Sequence, residues 1–114
     1  MTAFRILLGF FIVAIICYTG PVIYSHGWNL LPVFFGDMAA MTWAGQFNFD
    51  FTCLLALSGL WVAWRNNFSA RGIMLGVLGF FGGIMFLAPY LLFASFKANG
   101  DMKVLLLGKD RANV

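Results

Sequence analysis

Long uncharged apolar runs separated by short polar segments dominate the sequence. The first run follows Arg5 and predicts a membrane span over residues 5–24, because no small-residue cleavage site of a signal peptide follows it. A second run, which closes on Trp and Arg, predicts a span over residues 47–64. A third run of 25 uncharged residues predicts a span over residues 72–96. About 20 apolar residues suffice for a helix to cross the hydrocarbon core of a bilayer, so the pattern predicts three transmembrane helices.

The segment between the first two predicted spans has a different pattern. Residues 28–44 include Trp28, Asp37 and Trp43, are interrupted by Gly and Pro, and contain no Lys or Arg. Trp side chains are typical of the level of the lipid headgroups, and a broken apolar segment with polar positions is typical of a helix that lies in the interface. We therefore predict a short interfacial or re-entrant helical segment here, and a polar tail over residues 97–114.

The composition favours an all-α membrane protein as the fold class. Of the 114 residues, 62% are hydrophobic and 10% are charged, with a mean hydropathy of +0.91. An ordinary soluble domain is about 45–50% apolar and about 25% charged, and a small domain buries only about 60–65% of the surface that its unfolded chain exposes. We therefore expect a single membrane domain over residues 1–114. The length excludes a large transporter and a multidomain enzyme.

The basic residues lie between and beyond the apolar runs, where they set the orientation of a membrane protein. Arg5, Arg65 and Arg71 fall on one side of the three predicted spans, and the first loop carries no Lys or Arg. We therefore expect a cytoplasmic N-terminus, and the same arrangement places the tail, beginning with Lys97, on the opposite side. The net charge of +3 is spread along the chain without an aromatic-flanked basic patch, which argues against a nucleic-acid partner.

Small residues recur in the second and third predicted spans with the same spacing of 4, 3 and 4, which places each set on one helix face. The set in the third span is Gly72, Gly76, Gly79 and Gly83. The set in the second span is Thr52, Ala56, Gly59 and Ala63. Small residues let helix backbones approach closely in a membrane. Either the two spans pack on each other, or one stripe receives a partner helix or a flat ligand.

Asp50 is the one acidic residue that enters hydrocarbon in this prediction, about 9 Å from the centre of the second span at about 1.5 Å per residue. A charge there costs free energy unless it is paired or hydrated. Two structural roles are open. Asp50 lies in the first helical turn with Asn48 as the cap, or it pairs with Lys97. The functional alternative is a proton relay, a ligand contact or a catalytic base.

The remaining reactive side chains are few. His26 is the only histidine, and we interpret it as a hydrogen-bonded interfacial residue, with a haem or chlorophyll ligand as the alternative. Cys17 and Cys53 fall inside apolar runs and are typical of small buried residues. Together with Tyr90 and Asp50 these side chains offer too few converging polar groups for catalysis. We predict no catalytic residue and no metal site.

Fourteen Phe residues are spread over the sequence, mostly in the apolar runs. Most of them are expected to face lipid or to pack between helices. Surfaces of Phe and Gly also suit long apolar ligands, so a carotenoid, a quinone, a chlorophyll or a lipid stays open, although no cofactor is predicted.

Several residues stand in an order that is shared with a known family. They are Pro21, the stretch Gly27-Trp28-Asn29-Leu30-Leu31-Pro32-Val33-Phe34-Phe35, Asp50, Arg65, Arg71 and Pro89-Tyr90. In this order the chain resembles, over about residues 6–96, a family of small bacterial three-span membrane proteins catalogued only as a domain of unknown function. An extra Leu between Asn29 and Pro32 and a longer tail after Phe96 depart from the family pattern. The resemblance implies a bacterial inner-membrane protein and supplies no established activity.

These patterns favour a small accessory subunit that packs through its glycine-rich helix faces onto a larger membrane protein complex, respiratory or photosynthetic. Its expected partners are membrane lipids and either other membrane subunits or further copies of the chain. The alternative is a protein that binds an isoprenoid, a carotenoid or a lipid, or a small lipid-modifying enzyme that uses Asp50. A self-associating channel is the third hypothesis, although the helix faces lack a polar row.

Overall fold

The computed structural model describes residues 1–28 and 30–112, and within these ranges the chain forms seven helices and no strand. This confirms the all-α prediction. Asn29 of the family pattern, and the last two residues of the predicted tail, lie outside the described residues. The helices are α1 (Thr2–His26), α2 (Leu31–Ala39), α3 (Trp43–Arg65), α4 (Ala70–Gly82), α5 (Ile84–Lys97), α6 (Met102–Leu107) and α7 (Lys109–Ala112).

Among the described residues, two helices are long and apolar enough to cross a bilayer, namely α1 with 25 residues and α3 with 23. They contain the first two predicted spans and extend beyond them. Pro21 lies inside α1, and the helix continues past it to His26. Only 6% of the most apolar part of α1 and 17% of that of α3 is buried, so both helices present most of their apolar surface outward.

Helix α2 forms within the segment predicted to lie in the interface, and it packs against the start of α3. The side-chain amide of Asn48 donates to the carbonyl oxygen of Phe34 at 3.2 Å. A Cβ at Gly45 would collide with the carbonyl oxygen of Asp37, so the two helices approach closely only because this residue is glycine. Thr42 caps α3, and its hydroxyl accepts from the Gly45 N–H at 3.4 Å.

The third apolar run is divided at Gly83, which separates α4 from α5. Gly83 has φ +57° and ψ −139°, a backbone conformation that L side chains rarely adopt. Its N–H donates to the carbonyl of Gly79 at 3.1 Å, and its own carbonyl accepts from Leu87 at 2.9 Å. The chain therefore reverses at a glycine, whereas Pro89 lies inside α5.

Helices α4 and α5 fold back on each other as a hairpin. The side-chain amide of Asn66, just before α4, donates to the hydroxyl of Tyr90 in α5 at 2.9 Å. A straight helix would separate these residues by about 36 Å at about 1.5 Å per residue. The ring of Phe86 fills the space beside Gly79 and Gly82 at the turn. The single span predicted over residues 72–96 is therefore not confirmed, because both arms of this hairpin end at the same side of the molecule.

The hairpin lies between the two long helices. Its first arm packs on α3 and its second arm on α1. In the α1–α5 contact, Leu8 and Ala88 are buried. The guanidinium of Arg5 donates to the hydroxyl and to the carbonyl of Ser95, both at 3.0 Å. Helix α1 therefore begins where α5 ends.

The tail folds onto this same side. Leu105 of α6 is fully buried in a cluster with Ala94 and Ala98, against which Met1 and Phe4 pack. The sequence-based arrangement placed the tail opposite the N-terminal residues. The structure corrects this, because reversal of the chain at Gly83 returns α5, and everything after it, to the side where α1 begins.

Candidate functional site

All seven Lys and Arg residues of the chain lie at one end of the helical bundle, which we call the basic end. Three of them are fixed by contacts to backbone at this end. Arg5 bonds the end of α5, Arg65 donates to the carbonyl of Leu105, and Arg111 donates to the carbonyl of Trp64. The seven residues are Arg5, Arg65, Arg71, Lys97, Lys103, Lys109 and Arg111. The opposite end carries Asp37 and Asp50, so charge is strongly segregated along the bundle.

Tyr90 organises the middle of the basic end. Its hydroxyl accepts from Asn66 at 2.9 Å and from the Arg65 guanidinium at 3.2 Å. Its ring stacks on Phe86 with centroids 5.6 Å apart and meets Trp61 edge-on. Arg65 also donates to backbone carbonyls of α6, so these side chains join α3, the hairpin and the tail.

A cleft of about 260 Å³ opens between the two arms of the hairpin at the basic end, and we call it the hairpin cleft. Its mouth carries the exposed cations Arg71 and Lys97. The Lys97 ammonium lies 5.0 Å from the centre of the Phe93 ring. Its lining residues are Arg65, Asn66, Arg71, Leu75, Tyr90, Phe93, Ala94 and Lys97. The described residues that line it include no carboxylate.

Asp50 lies at the opposite end, in a shallow cleft of about 490 Å³ between the end of α2 and the first half of α3. The cleft is lined by Met38, Met41, Thr42, Gly45, Gln46, Phe49, Asp50 and Cys53. The Asp50 side chain is exposed there. Asp50 is the one carboxylate among these lining residues, and the Thr42 hydroxyl and the Gln46 amide are its polar neighbours.

Both structural roles expected for Asp50 are wrong. Helix α3 begins at Trp43 with Thr42 as its cap, so Asp50 lies beyond the first turn, and the Asn48 amide bonds Phe34 instead of capping the helix. Lys97 lies at the basic end beside Arg65. The 15 residues of α3 from Asp50 to Arg65 put about 22 Å between the two ends.

His26 and Tyr90, the other candidate polar residues, are not brought to Asp50. His26 is exposed at the end of α1, where it lines a largely apolar cleft of about 580 Å³ with Tyr18, Val22, Trp28, Leu30 and Val33 among others. Tyr90 belongs to the basic end. The described residues contain no group of three or more His, Cys, Asp or Glu side chains that could hold a metal ion. Cys17 and Cys53 are free thiols and exposed, not buried as expected.

The two small-residue stripes meet each other in part. Gly59 and Gly76 are in direct backbone contact, since a Cβ at either would lie 2.6–2.7 Å from the carbonyl oxygen of the other. Ala63 packs beside Gly76, and Gly72 is buried against Asn66. The stripe ends at Gly83, which forms the hairpin turn.

The first two residues of the α3 stripe, Thr52 and Ala56, do not take part in this contact. Thr52 is half-buried and its hydroxyl donates to the Asn48 carbonyl at 2.8 Å. Ala56 is exposed and lines a shallow apolar groove between α3 and α4. The interpretation that the two helices pack on each other therefore accounts for Gly59, Ala63 and Gly76.

Sequence reasoning missed Asn66 and Ser95, which hold the hairpin and α1 together at the basic end. Asn66 follows the second apolar run directly and Ser95 lies near the end of the third, and these positions are the only sequence signal for the two residues. The sequence assigns Arg65 and Arg71 no contact with Tyr90 or with the hairpin cleft, because both contacts depend on the chain reversal at Gly83.

Comparison of the chain with models of known families, with curated proteins and with solved structures finds no match.

Proposed function

We propose that this chain is an integral protein of the bacterial inner membrane that crosses the bilayer twice, through α1 and α3, and inserts the α4–α5 hairpin from the cytoplasmic side. One observation carries the proposal, namely that all seven Lys and Arg residues lie at the same end of the helical bundle. Lys and Arg accumulate on the cytoplasmic side of membrane proteins. The basic end is therefore cytoplasmic, and α2 lies in the opposite interface.

The helix lengths support this arrangement. Helix α1, with 25 residues, is about 37 Å long at about 1.5 Å per residue, which exceeds the hydrocarbon thickness of about 30 Å. The hairpin arms of 13 and 14 residues reach only about 20 Å. A hairpin of this depth turns inside the hydrocarbon core.

A turn at membrane depth requires satisfied backbone groups and shielding by protein. Gly83 meets both requirements, because its N–H and carbonyl are hydrogen-bonded within the turn and its Cα faces α3. A Cβ placed there would lie 3.1 Å from the ring of Phe51 and 3.5 Å from Leu55. The hydrogen bonds and the shielding by α3 therefore make the turn compatible with a position at membrane depth.

Reporter fusions test the topology. A reporter attached before Met1 and one attached after Val114 are both expected to be active as cytoplasmic reporters, and one inserted after Gly27 as a periplasmic reporter. A periplasmic result for the fusion after Val114 would restore three crossings and overturn the two-span arrangement.

Within the membrane, we propose that the protein is a non-enzymatic accessory subunit that packs on a larger membrane protein complex. The proposal is supported by the far half of α1, which extends beyond the hairpin with Tyr18 74% exposed and Tyr24 94% exposed. Large amphipathic aromatic side chains are enriched in protein interfaces and at membrane surfaces. A respiratory or photosynthetic complex is the expected class of partner.

Gentle solubilisation of the native membrane followed by sizing tests this role. Migration in a complex with defined subunits is the expected result. As a matched pair, Gly20→Trp alters the far half of α1 and Gly36→Trp alters α2, and a Cβ at either position would meet no other part of the chain within 4 Å. Gly20→Trp should release the protein from the complex. Migration of the wild-type protein at monomer mass contradicts the proposal.

A second candidate is a protein that binds an isoprenoid, a carotenoid or a lipid at the end of the bundle opposite the basic end, and it is favoured by the largely apolar cleft beside Trp28 and Val33. An enzyme that uses Asp50 has less support, because Asp50 lines a separate cleft with Thr42 and Gln46 as polar neighbours. Extraction of bound lipids and pigments from wild-type protein and from Asp50→Asn distinguishes these cases. An unchanged ligand content removes Asp50 from the site.

A further inference from the structure

We propose that the hairpin cleft binds one anionic phospholipid, with the phosphate between Arg71 and Lys97 and an acyl chain along Leu75 and Phe93. The inference rests on the proposed membrane arrangement, which places this cleft at the cytoplasmic interface. It adds a ligand site at the end of the molecule away from Asp50.

The two arms of the hairpin present the same polarity gradient. On α4, Arg71 stands at the mouth and Leu75 follows four residues later; on α5, Lys97 stands at the mouth and Phe93 precedes it by four residues. Four residues are about one helical turn, or about 6 Å of depth. Each arm therefore changes from a cation to a large apolar side chain over the distance that separates a lipid phosphate from its acyl chains.

The charges at the mouth are not neutralised within the cleft. Arg65, Arg71 and Lys97 contribute three positive charges, and no carboxylate is among the described lining residues. Asp110 lines a neighbouring cleft that also includes Arg65 and Lys97, and Asp101 and Asp110 have partners outside the hairpin cleft. Asp101 accepts from the backbone of Lys103 at 3.0 Å, and Asp110 accepts from Asn67 at 2.9 Å. A cluster of unneutralised cations between helices at the cytoplasmic interface attracts the headgroup of an anionic lipid.

The roles of the three cations differ. Arg65 donates to the hydroxyl of Tyr90 and to carbonyls of α6. It is therefore held in place and contributes positive potential to the cleft. Arg71 and Lys97 are exposed, and both have room to turn towards a phosphate. Arg presents its donors in a planar fork that matches phosphate oxygens, whereas Lys acts as a point charge.

The apolar wall favours a lipid over a free phosphate. Phe93 is 58% exposed, and Ala94 beside it leaves a shallow channel between the arms. A phosphate alone would satisfy the mouth and leave this channel uncovered. An acyl chain covers it, and the exposed ring of Phe93 has the flat apolar surface that such a chain packs on.

The test uses the full chain in nanodiscs of phosphatidylcholine that contain about one quarter phosphatidylglycerol, followed by counting of retained lipids by native mass spectrometry. The expected result is one retained phosphatidylglycerol per chain. Arg71→Gln and Lys97→Gln should each lower the apparent affinity about fivefold, and the double variant about 25-fold, as about 1 kcal/mol per cation converts. Lys103→Gln is the matched control, because it removes a charge from the same end outside the cleft, and it should bind as the wild type does.

Three further results separate the alternatives. Competition by inorganic phosphate at millimolar concentration as effective as that by phosphatidylglycerol would show an anion site without a lipid. Phe93→Ala should weaken phosphatidylglycerol and leave any phosphate binding unchanged. Equal retention by the double variant and by Lys103→Gln overturns the proposal. Failure of the protein to stay with phosphatidylcholine vesicles after alkaline extraction overturns the membrane arrangement itself, which is a different outcome.

Discussion

The contact between Gly59 and Gly76 yields the sharpest prediction about what holds α3 to the hairpin. Replacing Gly59 by Ala places a Cβ 2.6 Å from the carbonyl oxygen of Gly76. Ordinary van der Waals contact begins at 3.4 Å, so the helices must separate by about 0.8 Å. A gap of about 0.5–1 Å forfeits about a quarter to a half of the dispersion energy of the contacts that it opens.

We therefore expect Gly59→Ala to lower the free energy of unfolding by about 1–3 kcal/mol, the usual range for overpacking of a close interface. Gly76→Ala meets Gly59 in the same way, at 2.7 Å. Once one methyl group has separated the helices, the second costs less, so the double variant should be less destabilised than the sum of the two single variants.

Titration with sodium dodecyl sulfate in mixed micelles, followed by Trp fluorescence, measures these differences. Gly9→Ala in α1 is the matched control, since it adds the same methyl group to a helix where nothing lies within 4 Å. Unfolding of Gly59→Ala at the same detergent fraction as Gly9→Ala would refute the close packing of α3 on α4.

Three other predictions follow from single contacts. Gly83→Ala should destabilise the protein by about 1–3 kcal/mol, because an L side chain is strained at φ +57°. The same detergent titration measures this loss, and a stability equal to that of the wild type would count against the hairpin turn. Arg5→Gln should lower the free energy of unfolding by about 1–3 kcal/mol, because it removes the two charge-assisted hydrogen bonds to Ser95. In a protein that already carries Ser95→Ala, Arg5→Gln should have a much smaller effect, and equal effects in both backgrounds would contradict the contact. Asp50→Asn and Lys97→Gln should combine additively, within about 0.5 kcal/mol, and a larger coupling would mean that these residues meet.

The two long helices follow from the sequence because local properties determine them. A run of apolar residues that is long enough to cross a bilayer, bounded by Arg or Trp, contains all the information that α1 and α3 require. The contact of Gly59 with Gly76 also follows from a local pattern, because the spacing of 4, 3 and 4 places the small residues of each helix on one face. The segment that became α2 is recognisable because Pro32 suits the first turn of a helix.

The hairpin is different, because its 25-residue run satisfies the same length criterion as a span. The deciding signal is the adjacent pair Gly82 and Gly83 in the middle of the run, and only tertiary contacts turn that permissive pair into a reversal. Phe86 packs on Gly79 and Gly82, and Tyr90 reaches Asn66. These contacts join residues distant in sequence, so no local pattern contains them. The position of the tail, the neighbours of Lys97 and the hairpin cleft all depend on that reversal.

The gathering of every Lys and Arg at one end has a consequence for biogenesis. In the proposed two-span arrangement, only the connector formed by residues 27–42, whose sole charge is Asp37, crosses to the far side of the membrane during synthesis. The inside-negative membrane potential opposes the export of a cation by about 2.3 kcal/mol for each 100 mV, and the proposed arrangement requires the export of none. In the same proposed arrangement, the hairpin enters the membrane from the side on which it is synthesised, after α1 and α3 have inserted.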